Sequence, residues 1–80
     1  MPHVVIKMKA GRTEEMKRQL AEQIASDVVR ILGSKEASVS VAIEDVPSDD
    51  WISRVYDAEI APAWDGLYKK PGYGSRASQS

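Results

Sequence analysis

The chain has 80 residues, no cysteine, one histidine and a formal net charge of −1 from 11 basic and 12 acidic residues. Absent cysteine excludes a disulfide framework, a thiolate metal site and a cysteine nucleophile, and one histidine builds no metal site by itself. The basic residues are dispersed rather than clustered, so no nucleic-acid partner is expected, and a core this small supplies only roughly 3–5 kcal/mol, which leaves oligomerisation as the remaining stabilising device.

Met1 is followed by Pro2 and then by an alternating run, His3-Val4-Val5-Ile6-Lys7-Met8-Lys9. The alternation predicts a strand with Val4, Ile6 and Met8 on its buried face and His3, Val5, Lys7 and Lys9 on the other. If Met1 is trimmed, the Pro2 ring nitrogen becomes a free secondary amine. Such an amine is mostly protonated in water at neutral pH, but an apolar wall disfavours the cation and moves the group towards the range where a general base works. Proline after methionine is also a common strand-leading residue, fixed at φ near −65° and without further role.

A turn at Ala10-Gly11-Arg12 follows, and Thr13 can cap a helix whose first turn carries Glu14 and Glu15 at the positive end of its dipole. Met16, Leu20, Ile24, Val28 and Ile31 recur at helical spacing, widened by Ala21, Ala25 and Leu32, whereas Lys17, Arg18, Glu22, Asp27 and Arg30 lie mostly on the polar side. Gly33 suits a left-handed stop. Val39-Ser40-Val41-Ala42-Ile43-Glu44 alternates again, with Val39, Val41 and Ile43 on one face. Strand, helix and strand make an α/β chain with a single βαβ unit and two parallel strands. Two strands leave edges and a face open, so two copies are expected to pair into a four-stranded sheet with two helices.

Beyond Pro47, Ser48-Asp49-Asp50 reads as a cap and acidic first turn for a helix beginning near Trp51 and carrying Trp51, Ile52, Val55, Tyr56 and Ile60. Pro62 stops or kinks it, Ala63–Tyr68 suits another short helical turn, and Lys69-Lys70-Pro71-Gly72-Tyr73 reads as a turn. Residues 75–80 are small and polar and are expected to be a loose tail of one domain spanning 1–80. No stretch has the basic start and apolar core of a signal peptide or the length of a membrane span, which predicts a cytoplasmic protein without a membrane partner.

These pieces together resemble the tautomerase superfamily, specifically the 4-oxalocrotonate tautomerase family of short βαβ chains with an amino-terminal proline. The resemblance rests on Met1-Pro2, Gly11-Arg12-Thr13-Glu14-Glu15, Ser38-Val39-Ser40-Val41 and Trp51, and covers residues 2–74. Tyr56-Asp57-Ala58-Glu59-Ile60-Ala61-Pro62 and Lys69-Lys70-Pro71-Gly72-Tyr73 look like the phenylenolpyruvate tautomerase-like subgroup. It implies a homodimeric, cytoplasmic keto–enol tautomerase of the isomerase class that needs neither metal nor organic cofactor. Pro2 would be the general base, Arg12 would hold a substrate carboxylate, and Trp51 would furnish the apolar wall. Where the type enzyme has a second arginine this chain has Ser40, which supplies no charged bidentate contact and is left lining the site. The implied substrate is therefore a monocarboxylate enol or keto acid with an apolar tail, phenylenolpyruvate or a close relative, rather than a dicarboxylate.

Other readings of the same residues stay open at this point. Arg54, one turn beyond Trp51, is a candidate substitute for the missing arginine. A hydratase-type dehalogenase would need a carboxylate to activate water, for which Glu44 and Asp50 are the nearest by sequence. A non-catalytic βαβ dimer that binds a protein partner through its aromatic tail is the alternative of a different class. His3 is not a copper ligand of the usual N-terminal type, because Pro2 has no amide N–H to lose, and is read as a strand residue near the pocket.

Overall fold

In the computed structural model, which describes residues 1–79, the first alternating run forms strand β1, His3–Lys9. The predicted helix α1 runs Glu14–Leu32, and both of its ends are built as the sequence indicates. Thr13 Oγ1 accepts from the Met16 N–H at 3.1 Å, and Gly33 adopts φ 68° while its N–H bonds the Val29 carbonyl. That left-handed φ is the conformation a side chain would disfavour.

Strand β2 covers Ser40–Val46, one residue later at its start and two later at its end than the alternation predicts. Val39 is diverted because its N–H closes a short 3₁₀ turn, Glu36–Ser38, onto the Glu36 carbonyl at 3.1 Å. β1 and β2 pair in parallel, from His3 opposite Ser40 to Lys9 opposite Val46, giving the expected βαβ arrangement. Helix α1 packs against β2.

The chain divides into two compact units, Met1–Val46 and Pro47 onward. No residue of α1 is fully buried. Met16 and Leu20 are 51% and 38% exposed, Ile31 and Leu32 are 67% and 65% exposed, and Val5 on the far face of β1 is 52% exposed. Much of the apolar stripe read from the sequence is thus uncovered within one chain.

The second unit begins with a 3₁₀ turn, Ser48–Asp50, followed by Trp51 and a helix over Ile52–Ile60 that is wound as a π-helix. Its i→i+5 pattern is explicit at the end, where the Ala61 N–H reaches the Tyr56 carbonyl at 2.8 Å. Val55 and Tyr56 of this helix are buried, Tyr56 almost completely. Ser48 does not cap this helix as the sequence suggests. It lies in the preceding turn, and Ser53 Oγ and the Arg54 guanidinium engage the Asp50 carbonyl and carboxylate at 3.3 and 3.6 Å instead. A last helical turn, Trp64–Gly66, buries Trp64.

Residues 75–79, expected to be loose, include a 3₁₀ turn at Ala77–Gln79, and the Arg76 N–H donates to the Tyr56 hydroxyl at 2.9 Å. Ser80, the end of that expected tail, lies outside the described residues. No helix among the described residues is long and apolar enough to cross a membrane.

Candidate active site

Pro2 precedes β1 at the tip of the sheet, half-buried, with Met1 fully exposed in front of it. Its carbonyl accepts the Ser40 N–H at 3.2 Å, which fastens the start of β1 to the start of β2. Ser40 is opposite His3 in the register, and residues opposite each other in this ladder share a face. Their side chains meet, with His3 Nδ1 and Ser40 Oγ 2.6 Å apart. Pro2, His3 and Ser40 are therefore one cluster at one corner of the first unit.

Arg12 is not part of that corner. β1 has seven residues, and at about 3.3 Å per residue it separates its ends by about 20 Å. The Ala10 N–H is fixed to the Val46 carbonyl at 2.9 Å, so the turn carrying Arg12 belongs to the far end of the sheet. No arginine side chain spans that length, and Arg12 cannot meet the Pro2 nitrogen of its own chain. Glu44, one of the two carboxylates considered for water activation, is opposite Lys7 and about 13 Å along the strand from His3. Asp50, the other, belongs to the second unit, where it holds Arg54. Arg54 is accordingly paired with a carboxylate of the turn that precedes its helix.

Trp51 is in the second unit and is half-buried. Its indole Nε1–H donates to the Tyr73 hydroxyl at 2.8 Å, and the Tyr73 ring is tilted against Tyr56 with centroids 5.5 Å apart. Tyr56 in turn binds the Arg76 N–H, and the Arg76 guanidinium carbon is 5.9 Å from the centre of the Trp64 ring. A continuous aromatic chain thus fixes Trp51 from the C-terminal segment. The sequence shows the aromatics but not their pairing, because Trp51 and Tyr73 are separated by 22 positions.

A second contact also escapes the sequence. Lys17, placed on the polar side of α1, is bonded through Nζ to Asp45 at 2.7 Å and to Glu14 at 2.8 Å. The hydrogen bond that Lys17 donates to Asp45, then the one it donates to Glu14, raises its ammonium above the ordinary lysine value. The pair ties α1 to the distal end of β2, away from Pro2. Among the described residues no group of three histidine, cysteine or acidic side chains is placed to hold a metal ion.

The family model described as "Tautomerase enzyme" matches residues 2–56. A probable tautomerase of Xylella fastidiosa (strain 9a5c) is 44% identical over 78 residues, covering 98% of this chain and 95% of that protein. The tautomerase PptA of Enterobacter sp. (strain 638) is 47% identical over 74 residues, covering 91% and 97%. Among solved structures, a 4-oxalocrotonate tautomerase isozyme from Methylibium petroleiphilum superposes with a TM-score of 0.61 at 36% identity, over 62% of this chain and 81% of that one. YwhB, a homologue of 4-oxalocrotonate tautomerase, gives 0.59 at 40% identity, over 60% and 79%. The chain belongs to the 4-oxalocrotonate tautomerase family of the tautomerase superfamily, and it is a keto–enol tautomerase, an isomerase.

Proposed function

We propose that the protein ketonises a 2-hydroxy-2-alkenoate or aryl enolpyruvate such as phenylenolpyruvate, with Pro2 as general base after Met1 is removed. The observation that carries this reading is the position of Pro2 at the tip of β1 behind a fully exposed Met1, where trimming converts an amide nitrogen into an amine without disturbing a packed group. The neutral nitrogen takes the proton from the enol hydroxyl and returns it to C3. The oxygen's electron pair becomes the carbonyl, and the π pair of the C2–C3 double bond becomes the new C–H bond. Proton transfer by a placed group contributes typically 10²–10⁴-fold, and positioning supplies the rest.

The active unit is a cytoplasmic homodimer in which both compact units of each chain serve one domain, consistent with a family match that runs across residue 47. The uncovered Val5, Met16, Leu20, Ile31 and Leu32 and the open sheet edges support a second copy. The length of β1 supports an Arg12 from that copy as the one that serves a given Pro2. One arginine pairs with one carboxylate, and Ser40, already bonded to His3, adds no charge. The substrate is thus a small monocarboxylate.

Mixing Pro2→Ala and Arg12→Ala proteins tests this directly. Each is impaired alone, but in a randomly exchanged dimer population about a quarter of the sites regain both native residues if Arg12 acts across the two-fold axis. Recovery of kcat/KM for phenylenolpyruvate to about that fraction supports the composite site. No recovery after verified subunit exchange contradicts it.

A further inference from the structure

We propose that His3 is a second catalytic residue, whose outward Nε2–H donates a hydrogen bond to the substrate's C2 oxygen while Ser40 holds the ring through Nδ1. The inference rests on the proposed role of Pro2 as base. Its own support is the 2.6 Å contact between His3 Nδ1 and Ser40 Oγ, together with the Ser40 N–H bonded to the Pro2 carbonyl at 3.2 Å. These two bonds put the imidazole beside the residue whose nitrogen takes the proton.

Among the described residues the Ser40 hydroxyl is the side-chain partner of His3, and in the proposed arrangement the imidazole carries its hydrogen on Nε2 while the Ser40 hydroxyl donates to Nδ1. Nε2–H is then directed away from Ser40, on a residue that is exposed. Arg12 of the same chain is at the other end of β1 and Lys7 is four positions along the strand, whereas His3 directly follows the N-terminal proline.

The chemistry requires such a donor. As the enol O–H bond breaks, negative charge gathers on the C2 oxygen before the carbonyl forms, and a donor preorganised at that oxygen stabilises the transition state more than the ground state. His3 keeps its proton throughout. The proton that moves is exchanged between substrate and Pro2 alone, and the reaction remains an isomerisation without gain or loss of electrons.

The test uses the full-length, Met1-free protein and the variants His3→Phe, His3→Gln, Ser40→Ala and Pro2→Ala. His3→Phe retains a ring but no donor, and kcat should fall about tenfold with a smaller change in KM, the size expected for one lost hydrogen bond to a polar group. His3→Gln, which extends an amide donor to similar reach, should recover most of that loss. Ser40→Ala should give an intermediate kcat, and adding it to His3→Phe should cost nothing more. Inhibitor binding gives a readout that a structural role would leave unmoved. His3→Phe should weaken a 2-oxo aryl acid several-fold, yet leave the affinity of the same acid lacking the C2 oxygen unchanged. Wild-type kcat in His3→Phe, or equal weakening of both inhibitors, overturns the role of His3. Full activity in Pro2→Ala instead overturns the base on which it rests.

Discussion

Gly74→Ala should be among the most destabilising single changes in the chain, although it adds one methyl group near the C-terminus. Gly74 adopts φ 88°, a region that alanine enters at a cost of roughly 1–2 kcal/mol. A Cβ at this position would also overlap Cζ, Cε2 and the hydroxyl of Tyr56, whose ring is only 1% exposed and has little room to retreat. Overpacking of that kind costs typically 1–3 kcal/mol, so the two effects together amount to about 2–5 kcal/mol. A chain of 80 residues at roughly 0.05–0.15 kcal/mol per residue has about 4–12 kcal/mol to lose. At about 4–8 °C per kcal/mol the melting temperature should fall by roughly 10 °C or more. Thermal unfolding followed by circular dichroism at one fixed protein concentration measures this, with Gly72→Ala as the internal control. Gly72 has no positive φ and an added Cβ there meets nothing within 4 Å, so its melting temperature should barely move. Equal melting temperatures for the two variants would refute the claim that the C-terminal segment is strapped across Tyr56.

Lys17→Met should remove a pH dependence rather than create one. Because Asp45 and Glu14 raise the Lys17 ammonium, its contribution is fully present below the unfolded lysine value, near ~10.4, and is lost as pH rises through the higher native value. Urea midpoints of wild type should therefore fall in that alkaline window more steeply than those of Lys17→Met. Ser40→Arg should raise the ratio of kcat/KM for a muconate-type dicarboxylate over an aryl monocarboxylate about tenfold, because a charged hydrogen bond contributes about 1.5–3 kcal/mol. An unchanged ratio in a folded dimer would place residue 40 away from the substrate.

Local rules made the first unit legible. Thr13, Glu14, Glu15 and Gly33 are read correctly because caps and dipole partners act within one helical turn, and β1 follows from strict alternation. The displacement of β2 was hidden because Val39 fits the strand alternation but satisfies its N–H in a turn. Pairings across long separations were not legible: His3 meets Ser40 through a register that no local pattern records, and Lys17 leaves the polar side for Asp45. The second unit was the least readable, since its π-wound helix has a period that the usual apolar spacing does not anticipate. The roles of Arg12, Ser40 and Trp51 came from resemblance, and the separation of Arg12 from Pro2 follows from the seven-residue length of β1.

The most direct test of the central claim is the ketonisation rate of phenylenolpyruvate by two preparations of the same chain, distinguished by intact mass as beginning at Met1 or at Pro2. Protein beginning at Pro2 should carry essentially all of the activity, and protein that retains Met1, whose Pro2 nitrogen remains an amide, should be inactive. Equal turnover by the Met1-bearing chain would contradict the role of Pro2 as base.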